Sequence, residues 1–307
     1  MNLSRPRRSV RVVGCLLALA AAARSVIASA GEPAAVGVRV ERDVPYLEAG
    51  RAETADLYLP SGGAPGERRP AVLIIHGGGW TGGDKHNARE INIGTNLAAH
   101  GYVALSINYA LATSRHATWP QNVHDCKTAV RWLRKNADRF QIDTNHIGVI
   151  GGSAGGHLAA LLAVTGPADH LDPAQPYGEF SCAVQCAVDF YGPADLAQHR
   201  DLAMLGKTRA QDPSIYRAAS PVSYADRNDP PILIVHGTAD KTVNVKQSEL
   251  FAAALEAAGA PHQLVTVPGA GHSFDLEPRQ RDLRPLVLGF FDRYLRGPAV
   301  QGEKVSR

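Results

Sequence analysis

Ser153 sits in Gly151-Gly152-Ser153-Ala154-Gly155, between an apolar run that suits a strand and a segment of helical composition. This is G-x-S-x-G in the strand-turn-helix setting that presents a serine hydroxyl as a nucleophile. Small residues on either side relieve crowding in a strained turn, and a helix starting there aims its first amides at a developing oxyanion. Ala154 is therefore one candidate oxyanion donor. A glycine-rich turn with a serine N-cap is the plainer alternative, and it leaves the strand-to-helix context unused.

A serine hydroxyl is a weak nucleophile near neutral pH and needs a base, which in turn needs a carboxylate to fix its tautomer. His272, in Pro268-Gly269-Ala270-Gly271-His272-Ser273, follows the last strand candidate on a small-residue loop. Asp240 ends His236-Gly237-Thr238-Ala239-Asp240, also after a strand, and gives the chain order Ser, Asp, His. Asp195, after Gly192-Pro193-Ala194, is the rival acid; Asp84, Asp125 and Asp189 read as caps or surface charges. His76-Gly77-Gly78-Gly79-Trp80 follows a third apolar run, and three glycines let a backbone turn its amides inward. Gly78 and Gly79 are the further oxyanion candidates, and His76 reads as a residue that orients this loop. A phosphate-cradling loop is the rival, without the lysine and Ser/Thr of a P-loop. Trp80 either walls an acyl pocket or packs in the core.

Eight strand candidates would carry these residues: 38–47, 52–59, 71–75, 103–107, 147–150, 183–190, 232–235 and 263–267. The first two, joined through Gly50, read as an antiparallel edge pair. Continuous apolar runs among the others suit strands buried on both faces. Helices are expected at 122–137, 153–164, 245–258 and 284–295. In the first of these, Val123, Cys126, Val130, Leu133 and Ala137 recur at three and four residues, leaving Lys127, Arg131 and Arg134 to face outward, with Pro120 near the start. The alternation predicts an α/β fold with a mostly parallel sheet and helices on both faces. The turn-rich stretches 167–180 and 195–229 are expected as loops or a small cap over the sheet's carboxyl edge.

The chain has 307 residues and a net charge of +3, with 45% hydrophobic and 20% charged residues, enough for one large core. Much of the positive charge lies at the extreme N-terminus, so no nucleic-acid footprint remains. Arg5, Arg7, Arg8 and Arg11 precede an apolar run over 12–23 and a small-residue site at Ala28-Ser29-Ala30, the pattern of a cleaved export signal covering 1–30. The run is shorter than the roughly 20 apolar residues of a spanning helix. An exported catalytic domain over 31–307, periplasmic or extracellular and with no stable membrane insertion, is the expectation. It keeps Cys126, Cys182 and Cys186. If Cys182 and Cys186 share a strand they lie about 13 Å apart, out of disulfide reach, and any internal bridge involves Cys126. No cysteine or histidine spacing suggests a metal, and no cofactor is expected.

With these motifs in place, the chain resembles the α/β-hydrolase esterases, and within them the secreted bacterial esterases related to bifunctional feruloyl and acetyl xylan esterases. The resemblance runs through His76-Gly77-Gly78-Gly79-Trp80 with Gly83-Asp84-Lys85, Asn108-Tyr109, Ala129-Val130-Arg131-Trp132-Leu133, Gly152-Ser153-Ala154-Gly155-Gly156-His157, Tyr191-Gly192-Pro193-Ala194-Asp195, and Pro230-Pro231 to Gly271-His272. It spans about residues 54–295. Gly152 departs from the hormone-sensitive-lipase branch, where Asp often precedes the serine. The resemblance implies an α/β-hydrolase fold and metal-free hydrolysis of small-molecule or polysaccharide-linked esters. The same fold also hosts amide-cleaving exopeptidases and formamidases, and binding proteins that have lost a triad member; this chain lacks none.

Overall fold

The computed structural model describes residues 37–62 and 66–297, with Met1. The expected export signal lies outside the described residues. Eight strands form one sheet in the order β1-β2-β4-β3-β5-β6-β7-β8. They are β1 (Val38–Val44), β2 (Ala55–Pro60), β3 (Arg69–Ile75), β4 (Val103–Ile107), β5 (Ile142–Gly152), β6 (Cys186–Phe190), β7 (Ile232–Gly237) and β8 (His262–Val267). β2 runs antiparallel to both β1 and β4, and every pairing from β4 to β8 is parallel. The helices are α1 (Ala88–Ala99), α2 (Gln121–Lys135), α3 (Ala137–Phe140), α4 (Ala154–Val164), α5 (Pro213–Ala218), α6 (Lys246–Ala258) and α7 (Arg284–Leu295). This is the α/β-hydrolase fold.

Alternation along the central strands divides the core. Leu73, Ile75 and Val149 face one side with residues of α2, α4 and α6, while Val72, Ile74 and Ile150 face the other with α1 and α7. Helices on both faces explain why β3 reads as an unbroken apolar run from Ala71 to Ile75. Every residue of α4 is buried, so it shows no polar stripe.

Four expectations need correction. Asp125 and Asp189 are buried and are not surface charges. Lys127 and Arg131 are buried, not outward: Lys127 Nζ pairs with Asp172 and donates to the Thr165 carbonyl, and Arg131 donates to the Pro173 carbonyl. The stretch 167–180 covers that flank of α2, so those cations meet acceptors instead of water. β6 begins at Cys186, which leaves Cys182 in the preceding coil; Cys126, Cys182 and Cys186 are all free and buried, with no internal bridge. Finally, Ala137 opens the separate short α3 and does not extend α2. The structure also adds α1, which the spacing of apolar residues did not announce. Among the described residues no helix is long and apolar enough to cross a membrane.

Candidate active site

Parallel strands deliver their following loops to one edge of the sheet, where α/β proteins gather their sites. Ser153 is the pivot between β5 and α4, at φ 57° and ψ −122°. A non-glycine residue in that region is strained, and such strain persists where surroundings over-determine it. Here the Ser153 amide donates to the Phe190 carbonyl at 2.8 Å, while its own carbonyl starts α4 by accepting from His157 at 3.0 Å.

His272, on the loop after β8, has Nε2 2.9 Å from Ser153 Oγ and Nδ1 2.6 Å from Asp240 Oδ2. Asp240 follows β7, and its side chain is fully buried. Its Oδ1 accepts from the amides of Thr242 and Val243 at 2.8 and 3.0 Å, which leaves Oδ2 for the histidine. With the carboxylate accepting from Nδ1–H, Nε2 presents a lone pair to the serine hydroxyl. Asp195 is placed elsewhere: it caps a 3-10 turn, accepting from the Ala197 amide at 3.0 Å and Gln198 Nε2 at 2.6 Å.

Gly78 has φ 119° and Gly79 φ 62°, and a Cβ on Gly78 would run into the Gly82 backbone. Among the described residues, the amides of Gly78, Gly79 and Ala154 donate to no other protein group, while the Gly78 carbonyl is held by the Thr81 and Gly82 amides at 3.2 and 3.1 Å. His76 is fully buried, stacked on Tyr109 at 4.4 Å, with Nδ1 donating to the Gly77 carbonyl at 2.7 Å. Burial pushes its pKa down to about 4, so it is a neutral strut of the loop. Lys85 and Asp84 anchor the far end: the Lys85 amide donates to Asn108 Oδ1 at 2.7 Å, and Lys85 Nζ lies 2.8 Å from Asp43 and 3.3 Å from Asp56.

Trp80 touches both the core and the cleft. It is 3% exposed within the core, and it also borders the cleft that contains Ser153. Its indole N–H donates to His157 Nδ1 at 3.2 Å, and His157 Nε2–H donates to the Ala219 carbonyl at 2.7 Å. The cleft has a volume of about 1140 Å³. Of the two irregular stretches only the second lines it, through residues 198–203.

Two site neighbours stand inside motifs of the sequence that gave them no role of their own. Tyr191, at φ 45°, lays its ring against His272 at 4.7 Å, and its hydroxyl donates to the Phe274 carbonyl at 2.6 Å. His236 lies under Asp240, with Nε2 donating to the Val243 carbonyl at 2.9 Å and reaching Asp240 Oδ2 at 3.3 Å, and Nδ1 accepting from Ser248 Oγ at 2.7 Å. Burial lowers its pKa, which keeps it neutral beside the carboxylate.

Comparison with known proteins agrees with this architecture. Esterase LipQ of Mycobacterium tuberculosis is 34% identical over 245 residues, 76% of this chain and 57% of that protein. The chain thus spans little more than half the length of the curated relatives it matches. Among solved structures, a truncated carbohydrate esterase from gut microbiota superposes with a TM-score of 0.77 at 28% identity, covering 85% of this chain and 98% of that one. Butyrate-bound esterase 2 of Thermogutta terrifontis gives 0.69 at 28% identity, covering 88% and 97%. The BD-FAE family profile matches residues 55–255, and the chain belongs to that family of α/β-hydrolases.

Proposed function

We propose that the protein is an exported serine esterase in which Ser153 is the nucleophile, His272 the general base and acid, and Asp240 the residue that holds the histidine. The observation that carries this reading is the unbroken pair of hydrogen bonds from Ser153 Oγ through His272 to Asp240, at 2.9 and 2.6 Å. Ser153 Oγ adds to the ester carbonyl as its proton passes to His272 Nε2. The negative oxygen that forms is received by the amides of Gly78, Gly79 and Ala154. Collapse breaks the C–O bond, His272 returns the proton to the leaving alcohol, and an acyl-serine remains. Water then repeats the sequence with His272 as base, releasing acid and free serine.

The gut carbohydrate esterase supports esters carried on sugars as the substrate, acetyl or feruloyl groups on plant polysaccharide among them. Residues 31–307 form the mature catalytic chain in this reading. Ser153→Ala tests it: hydrolysis of p-nitrophenyl acetate disappears from a protein whose circular dichroism and melting temperature match the parent. Turnover retained in that variant sinks the assignment.

A further inference from the structure

The cleft around Ser153 is lopsided in charge. One side is built from the loop after β3 and the start of α1, and its cation, Arg89, is held by Glu90. The other side comes from the segments after β6 and β7, which Gln247 ties together by accepting from the Ala194 and Asp195 amides, both at 2.8 Å. That side presents Arg200 and Lys241, both exposed. Residues 201–203 then form a wall shared with a second groove of about 460 Å³, where Arg115 is exposed and Lys207 is paired with Asp212.

Among the described residues Arg115, Arg200 and Lys241 have no carboxylate partner. One exposed acid borders them, Asp201, and it already accepts from the Arg209 amide at 2.8 Å and the Tyr216 hydroxyl at 3.3 Å. Three cations therefore face a single carboxylate along two adjoining grooves. The excess is local. The sequence has 32 Lys and Arg against 29 Asp and Glu, and five arginines lie in the first 30 residues, where there is no acid; beyond them 27 cations face 29 acids. On a chain that is slightly acidic past its N-terminus, unpaired Arg200 and Lys241 on the nucleophile's cleft, with Arg115 on the groove adjoining it, make a field that selects its ligand.

We propose that the two grooves together bind the uronate carboxylates of an acidic polysaccharide, so that the ester offered to Ser153 is carried on a carboxylate-bearing sugar chain. The proposal rests on the esterase reading above. Charges spaced along a groove fit a ligand with repeated carboxylates, whereas a single small anion would use one of them. Nucleic acid, the other common polyanion, needs aromatic faces on which bases stack. The Trp and Tyr rings of this lining, Trp80 and Tyr191, are 3% and 1% exposed.

The test uses the full chain and two O-acetylated tetramers, one of galacturonate and one of xylose. At low salt the acidic tetramer has the higher kcat/KM, by about tenfold for three rim cations. The preference fades as salt is raised toward 1 M, where screening is complete within a few ångströms. In the R115Q/R200Q/K241Q variant the ratio of the two kcat/KM values falls to near one. Equal kcat/KM for both tetramers in the parent, or a ratio unmoved by the three substitutions, overturns the proposal. Binding of unacetylated tetragalacturonate and xylotetraose, read by calorimetry, needs no turnover. Cation-dependent binding of the acid without hydrolysis of either acetylated tetramer would overturn the esterase reading and leave the groove assignment standing. An oligothymidylate of equal charge that binds as tightly as tetragalacturonate overturns the assignment to a polysaccharide.

Discussion

Asp240→Asn separates the two acids that follow strands of this sheet. In the parent, Asp240 Oδ1 accepts from two backbone amides and Oδ2 accepts from His272 Nδ1. Asparagine can keep the first pair only with its carbonyl oxygen, which turns its NH2 toward His272. Two donors cannot share that position, so the imidazole must offer a lone pair at Nδ1 and carry its proton on Nε2, facing Ser153. The ring stays in place in the wrong tautomer. The expected loss is about 10⁴-fold in kcat, or about 5.4 kcal/mol of transition-state stabilisation, with KM little changed. His236 Nε2–H, 3.3 Å from the same atom, also loses an acceptor, so a drop of about 1–3 kcal/mol in stability accompanies it. Asp195→Asn is the control: asparagine caps nearly as well as aspartate, and kcat stays within about threefold. The assay is p-nitrophenyl acetate turnover over a range of substrate, beside thermal melts that show both variants folded. An Asp240→Asn enzyme with more than about a tenth of parent kcat, or an Asp195→Asn enzyme equally crippled, refutes the reasoning.

Tyr191→Phe keeps the ring on His272 and removes the 2.6 Å bond to the Phe274 carbonyl. If that bond fixes the His272 loop, kcat falls about tenfold with KM nearly constant, the signature of an orientation lost in the transition state; an unchanged kcat shows that ring packing suffices. Asp189 is buried in β6, has Oδ2 without a partner, and is pushed up to about 7 by burial. A raised folded-state pKa means stability is fully present below the unfolded value near 3.8 and is lost as pH rises toward 7. The melting free energy of Asp189→Asn relative to the parent therefore climbs between pH 4 and 7, by about 1.4 kcal/mol per pH unit, and is level above it. A pH-independent difference shows that the carboxyl titrates normally.

The strands were legible because the sheet is covered on both faces. β4 has the expected bounds, 103–107: every residue in it is buried, and the run stops at the partly exposed Asn108. α1 was not legible: its inward face is Glu90, Ile93, Gly94, Leu97 and Ala98, so a carboxylate and a glycine stand among the apolar residues and dilute the period. The outward reading of Lys127 and Arg131 failed for a different reason. A helical wheel assigns cations to water, but loop 167–180 supplies Asp172 and the Pro173 carbonyl, and Thr165 just before it supplies a second carbonyl. Long-range cover of this kind leaves no local trace. Gly152 is another instance. A Cβ there would fall on Arg89 Nη1 and within 3.0 Å of the Tyr191 hydroxyl, so the residue before the serine is set by a guanidinium on α1 that no motif connects to it.

The histidines show how far position in the chain can stand in for chemistry. His76, His157 and His236 all sit close to the candidate site, and burial lowers the pKa of each, to about 4 for the first two. His157 and His236 have both ring nitrogens engaged, one with the Trp80 indole and the Ala219 carbonyl, the other with Ser248 and the Val243 carbonyl. His76 has one nitrogen on Gly77 and the other buried without a partner among the described residues. A base must receive a proton and release it, which requires a lone pair aimed at the nucleophile and a charged form that the surroundings tolerate. His272 has Nε2 at Ser153, Nδ1 on a carboxylate and a side chain 15% exposed, so one nitrogen faces the nucleophile while the other is held from behind. The loop position of His272 after the last strand singled it out in the sequence. What separates it physically from its three neighbours is the partner set of each ring, and those partners come from segments up to 119 residues away.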